Sequence, residues 1–488
     1  MAGIGFQLKK LFSDKGYLYK LRAYFFSTIV TTGPIIMCTC LIVFIQLFMN
    51  AVKLPYIQKQ LIIGSIVYPF VFSQIITSIF SMVITRYVSD LLYKEEYNKI
   101  NASFLGVITL LLIVGGVLGF AFYARSPLHI KYKIPPYILF MELIILWLQT
   151  VYLSAFRDYM KIVKGFLYGI FITVITIYVC LSILQLDVTM SILIGMDVGF
   201  FVIVSMLTFY IIKYFNKLGN DYFVFLKYID KYASLIYVSF FYTLGIYGHN
   251  FLFWRSNLGV TISETYVFAP VYDVAVFYAF LTVLPATVIF VVNVETSFYD
   301  RYKEYYGLIT SGGNGIEISR ARDKMIFVLW QEIRKLIEIQ FFISLLCMIL
   351  GNIFLPYVGV TGLSLNIFII LSLGSFCCFM MFFIMLILLY FEDRKGVAII
   401  ISFFFIGNII LTQISIELGE VYYGFGFFVA SIIGFTIAVT RLTDYLNEID
   451  YHTFCSQPVI ARENSGVFHK IVDVLYKNHT EKSNQKES

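Results

Sequence analysis

Twelve stretches of this chain are apolar for long enough to cross a lipid bilayer, and that repetition limits its possible folds more than any other feature. They run at about 22–49, 60–86, 102–124, 136–156, 165–186, 189–212, 233–254, 266–294, 337–357, 363–391, 397–416 and 421–440. A helix rises 1.5 Å per residue and the hydrocarbon core is about 30 Å thick, so roughly 20 apolar residues suffice to span it. Barrel strands would instead alternate in polarity over ~10 residues. Only 14% of the residues are charged, against about 25% in soluble domains, and mean hydropathy is +0.83. The expected fold is an all-α polytopic membrane protein of about twelve transmembrane helices. The fifth and sixth runs are separated by little more than Asp187, and the ninth and tenth by Gly359 to Gly362, so both pairs read as tight hairpins.

With the N-terminus placed inside, thirty of the 36 Lys and Arg fall in inner segments and six in outer connections. The positive-inside rule then puts both termini in the cytoplasm and the protein in the cytoplasmic membrane. The net charge of +6 is thus a topology signal, and it excludes nucleic acid as a partner. Residues 1–21 place Ile4, Leu8, Leu11 and Phe12 on one helical face with Lys9, Lys10 and Lys15 elsewhere, the pattern of an interfacial helix. In the inner connection 296–336, Gly312, Gly313 and Gly315 mark a turn. Ile318, Met325, Leu329, Ile333 and Leu336 then recur at near-helical spacing, which predicts an amphipathic helix at the inner surface. The tail 442–488 is polar and weakly patterned, with disorder expected after Lys477. The seven cysteines lie mostly within apolar runs, so buried free thiols are expected.

Tyr93-Lys94-Glu95-Glu96-Tyr97 after span two and Tyr302-Lys303-Glu304-Tyr305-Tyr306 after span eight share Tyr, Lys and Glu and a further Tyr at an offset of 209. That offset also carries span one onto span seven and span two onto span eight. Two six-helix lobes in parallel orientation follow, 22–230 and 231–441. Arg86 then matches Glu295, and their pairing is a candidate closure of the cytoplasmic side.

Polar groups inside the spans are few: Glu142, Asp197, His249, Asn250, Asp273 and Glu295, with Arg255 and Glu264 at an outer mouth. A carboxylate at the centre of a span costs about 2.5–3.5 kcal/mol on insertion scales, so it faces a protein interior or a wet cavity. The eighth run carries Pro270, Asp273 and Pro285, and a kinked, carboxylate-bearing helix suits a transport path. The same run reads equally as a packed helix whose Asp273 bonds a neighbouring Tyr or Ser. Gly33-Pro34 interrupts span one beside Thr32, either as an unwound point or as a simple bend. Tyr247, His249, Asn250 and the aromatics around them offer rings and amides that suit sugar, with Trp254 and Arg255 read as an interfacial anchor.

No P-loop, zinc-protease H-E-x-x-H or G-x-S-x-G motif occurs, so no enzyme is expected and no cofactor or metal is assigned. The opening Met1-Ala2-Gly3-Ile4-Gly5-Phe6-Gln7-Leu8-Lys9-Lys10-Leu11, the Arg22-Ala23-Tyr24 entry and the Thr32-Gly33-Pro34 break resemble the start of the Pel exopolysaccharide transporter family, PelG. The Gly245-to-Trp254 segment and Val294-Glu295-Thr296-Ser297-Phe298-Tyr299 with the Tyr302, Tyr305 and Tyr306 cluster resemble it too. His249-Asn250 departs from a charged pair often carried there.

The resemblance implies a flippase of the superfamily that holds multidrug extruders and polysaccharide exporters, with two six-helix lobes around a central cavity. It implies a biofilm polysaccharide rich in amino sugars as substrate. It also implies a cytoplasmic glycosyltransferase and membrane subunits as partners. On that reading the aromatics face sugar, while Asp273 and Glu295 gate the path or bind ions. Two other functions stay open, an ion-gradient-driven small-molecule extruder and a membrane scaffold for a polysaccharide synthase.

Overall fold

The computed structural model describes residues 17–153, 160–216, 219–293, 297–360, 362–455 and 466–484. Their regular structure is helical except for one short hairpin, and eleven helices have the length and hydropathy of a membrane span. The twelfth expected span, Ala233–Trp254, forms a 22-residue helix too; three tyrosines with His249 and Asn250 dilute its hydropathy. The expected all-α, twelve-helix architecture therefore stands. The chain separates into two compact units: residues 56–155, 168–243 and 450–488 in one, and 1–55, 156–167 and 244–449 in the other.

The first unit contains α2 (Tyr56–Tyr93), α3 (Tyr97–Arg125), α4 (Ile130–Leu153), most of α5 (Met160–Ser182), α6 (Val188–Phe215) and the short α7 (Leu226–Lys231). Helix α4 is its hub, packed on α2, α3 and α6. Helices α5 and α6 approach closely because α6 presents Gly195 and Gly199 one turn apart. A Cβ at Gly199 would meet Thr173 Oγ1 and the Gly169 carbonyl. Without a hydrophobic drive between helices in lipid, such small-residue seams supply the packing. Asp187 sits in the hairpin read from the sequence and caps α6 by accepting from the Met190 N–H.

The tail departs from its expected disorder. Residues Val467–Asn484 form helix α17, which packs on α7. Lys227 donates to Asp473 at 2.7 Å, the Phe223 N–H to the Tyr476 hydroxyl at 3.0 Å, and the His469 N–H to Asp230 at 2.8 Å. Val472 is buried beneath them. One apolar residue set in three polar clasps is a weak pattern to read from sequence.

The second unit contains α1 (Tyr17–Ala51), the end of α8 (Ala233–Trp254), strands β1 (Val260–Ile262) and β2 (Tyr266–Phe268), and α9 (Pro270–Leu281), α10 (Leu284–Asn293) and α11 (Tyr299–Thr310). Helices α12 (Gly315–Phe354), α13 (Leu363–Tyr390), α14 (Arg394–Leu418) and α15 (Phe425–Asn447) complete it, and α16 (Ile449–Phe454) follows. Helix α15 packs on both α13 and α14, α9 on α13, and α10 on α1.

Two sequence readings change here. The surface helix expected near 318–336 and the ninth span are one continuous 40-residue helix, α12, opened by an Asn314–Glu317 capping box. Its first half still buries Met325, Leu329, Ile333 and Leu336, the face the spacing predicted. The eighth run is not one kinked helix. Pro270 starts α9 at a position where the missing N–H costs nothing, and Pro285 stands just inside α10, after a break at Thr282–Val283. The Thr282 carbonyl freed by that break accepts from Gln340 Nε2 of α12 at 2.9 Å, within buried protein.

Candidate functional site

The β1–β2 hairpin brings the eighth run back alongside α8. Val260 pairs with Phe268 and Ile262 with Tyr266 around a three-residue turn in which Ser263 and Glu264 take positive φ. The reversal sets the start of α9 against the last turns of α8. Asn250 and Trp254, one helical turn apart, then face Asp273.

Asp273 receives four hydrogen bonds. Asn250 Nδ2 donates to Oδ1 at 2.8 Å, and Trp254 Nε1 reaches Oδ1 at 3.1 Å and Oδ2 at 3.0 Å. The Ala269 N–H donates to Oδ2 at 3.0 Å. Asp273 lies in the first turn of α9, where the positive end of the helix dipole favours a carboxylate. Asn250 and Trp254 are each 7% exposed, and Ala269 is fully buried. Beside this clasp His249 Nδ1 meets the Tyr272 hydroxyl at 2.8 Å, with the donor set by the tautomer. Tyr272 stacks on Phe253 at 3.6 Å, and His249 packs against Phe427 at 4.4 Å. The carboxylate thus locks three successive elements, α8, the hairpin and α9, into one corner. Chemically it is a latch: removing the Asp273 carboxylate takes the acceptor from three buried donors at once.

Within the second unit the structure brings His249, Asn250, Pro270 and Asp273 together. Tyr247 is half-buried on α8, and Arg255 and Glu264 are exposed. Helix α1 runs unbroken through Gly33 and Pro34, so there is no unwound point there, and the reading as a simple bend stays open. Arg86 pairs with Asp90 at 3.3 Å and lies over the Tyr232 ring, while Tyr228 donates to Asp90. Burial, then the Asp90 charge, raise the Tyr228 phenol above its ordinary range. Glu295, the partner expected for Arg86, lies outside the described residues. Asp197 sits half-buried on α6, and Pro285 near the start of α10.

Trp254 is the functional residue that sequence reasoning missed. Taken as an interfacial anchor beside Arg255, it is buried and supplies two contacts to Asp273. The i, i+4 spacing of Asn250 and Trp254 opposite a helix-starting Pro-x-x-Asp was the signal available. Tyr272 escaped for the same reason, since aromatic residues surround it in the sequence.

A family model named PelG, described as "Putative exopolysaccharide Exporter (EPS-E)", matches residues 1–454. A search of curated proteins finds no match. Among solved structures, an outward-facing multidrug resistance transporter of the MATE family and MOP superfamily is similar. It shows 12% identity and a TM-score of 0.55, over 86% of this chain and 96% of that one. A MOP superfamily transporter from Pyrococcus furiosus, described by the reversed polarity of its binding pocket, shows 13% identity and a TM-score of 0.56, over 86% and 96%. The MATE transporter ClbM in complex with Rb+ shows 12% identity and a TM-score of 0.53, over 89% and 98%. At such identities the likeness establishes a MATE-like transporter fold.

Proposed function

The chain belongs to the PelG family, and from that premise we propose that it moves a nascent exopolysaccharide across the cytoplasmic membrane, with both termini in the cytoplasm. The observation that carries this reading is the family match over 1–454, which takes in every membrane-spanning helix on a transporter fold. The polymer is of the Pel type, rich in amino sugars, and a cytoplasmic glycosyltransferase with membrane subunits feeds it in. The chain itself performs no bond chemistry; it supplies the passage.

In this proposal the two lobes, 22–230 and 231–441, alternate access, and the Asp273 clasp acts as the gate element. A carboxylate holding α8, the hairpin and α9 can stabilise one arrangement of that corner and release it when its charge is matched elsewhere. Tyr247 is the α8 residue assigned to sugar contact, since His249 and Asn250 are enclosed. Glu295, near the exit of the same run, joins Asp273 as a gating or ion-binding group.

The test is a deletion strain. Extracellular polymer should disappear while glycosyltransferase activity persists in extracts; normal surface polymer overturns the reading. Asp273→Asn separates it from a scaffold role. Loss of secretion with an intact synthase complex supports a passage, and unchanged secretion supports a scaffold.

A further inference from the structure

Helices α4 and α6 lie in the same unit and run parallel, because the single helix α5 reverses the chain between them. Two hydrogen bonds fix their register. Near the start of both helices the Tyr132 hydroxyl donates to Asp187 Oδ2 at 3.2 Å, a sequence separation of 55. Deeper in, Gln149 Nε2 donates to the Val204 carbonyl at 2.9 Å, again a separation of 55. Between these contacts the same separation pairs Glu142 with Asp197. Glu142 lies ten residues beyond the first contact and seven before the second, or two turns short of it. Two acids therefore meet across one seam, about 18 Å into a helix that crosses a core about 30 Å thick.

A second observation is independent of the register. Glu142 is 6% exposed and its Oε2 has no hydrogen-bond partner. Asp197 is half-buried, so the seam is not closed by protein on its side. The elements packed around it bring no cation to this depth. On α2 the titratable side chain nearest this depth is Tyr68, with Lys59, Arg86 and Asp90 toward the ends. Helix α3 has none between Lys99 and Tyr123, and α5 carries Lys161 and Lys164 at its opposite end from Cys180. On α4 and α6 themselves the lysines, Lys131, Lys133 and Lys213, stand near the termini.

Two adjacent carboxylates, one buried and one half-buried, cannot both stay ionised without a cation, and the least demanding remedy is a proton held between them. An alkali ion would want about six oxygen ligands. Among the described residues no group of three or more acidic, His or Cys side chains is placed to hold a metal ion. We propose that Glu142 and Asp197 form a shared-proton site in the α4–α6 seam, exchanging one proton with solvent on the Asp197 side. The site stands on the geometry of one unit and does not depend on which substrate the chain carries.

The test is infrared spectroscopy of the full chain in nanodiscs, reading the C=O stretch of protonated carboxyl groups at neutral pH. Wild type should show this band. Glu142→Gln and Asp197→Asn should each move this band or remove it, since the remaining acid no longer shares a proton, and the double variant should remove it. Should Glu142→Gln fail to fold, Asp197→Asn alone decides, because the seam keeps its shape with an isosteric amide. A band that keeps its wild-type position in Asp197→Asn, or falls in equal steps through the single and double variants, means independent acids and overturns the proposal. Saturable loss of the wild-type band on adding sodium or potassium chloride at fixed pH means a metal cation occupies the seam, and overturns it too.

Discussion

Removing the Asp273 carboxylate should destabilise the second unit by an amount that its contacts allow to be worked out. In Asp273→Ala the Asn250 amide, the Trp254 indole N–H and the Ala269 N–H all lose their acceptor. Each buried donor left without a partner costs about 1–3 kcal/mol. Relaxation and water entry hold the total toward the low end, about 3–5 kcal/mol, the range for breaking a buried charged contact. Asp273→Asn keeps one carbonyl oxygen but turns an amide N–H toward the Trp254 and Ala269 donors, for a cost of about 2 kcal/mol. Thermal unfolding in detergent followed by tryptophan emission suits this, since Trp254 is one of only three tryptophans. The expected order of stability is wild type, Asp273→Asn, Asp273→Ala. Asp273→Ala unfolding within about 0.5 kcal/mol of wild type, the scale of a surface substitution, would show that the clasp contributes nothing.

Three further outcomes follow from other parts of the molecule. Arg441 holds Asp393 through bonds of 2.6 and 3.0 Å, and Asp393 is 8% exposed. Asp393→Asn should cost about 2 kcal/mol in detergent melts, below the figure for a fully buried pair because Arg441 is partly exposed. A Cβ at Gly426 would meet the backbone of Leu411 and Thr412 on α14. Gly426→Ala should therefore push α14 and α15 apart and lower stability by about 1–3 kcal/mol, whereas Gly307→Ala, with open space around it, should not lower it. In the tail, the Lys227 contact holds Asp473 below the ordinary carboxylate range. A depressed carboxylate contributes stability above its unfolded pKa and loses it as pH falls through the folded value. Protease access to α17 should therefore rise on acidification in wild type and change less with pH in Lys227→Met.

The spans were legible because lipid imposes a length and a composition that few other environments demand. Even Ala233–Trp254, diluted by its tyrosines and by His249-Asn250, kept the required length. Helix ends and joints were less so. Pro285 announces a break, but that α12 supplies Gln340 to satisfy the freed carbonyl depends on a helix far along the chain. Pro270 looked like a kink within a span because the three-residue strands before it are as apolar as the helix they precede. The Asp273 clasp was half visible: the carboxylate stood out, whereas Trp254 next to Arg255 matched an interfacial anchor. The Glu142–Asp197 seam needed register, and a parallel register between non-adjacent helices leaves no local trace in the sequence. In the tail, docking rests on polar clasps, which hydrophobic periodicity does not report.

The central claim, passage of polymer through this chain, is tested most directly with inverted membrane vesicles. These carry the glycosyltransferase and its membrane subunits, with or without this protein, and are supplied with labelled sugar nucleotide. Polymer made in vesicles that contain the chain should become resistant to an added glycan hydrolase until detergent opens them, and Asp273→Asn should reduce that protected fraction. Equal protection in vesicles lacking the chain would contradict the account.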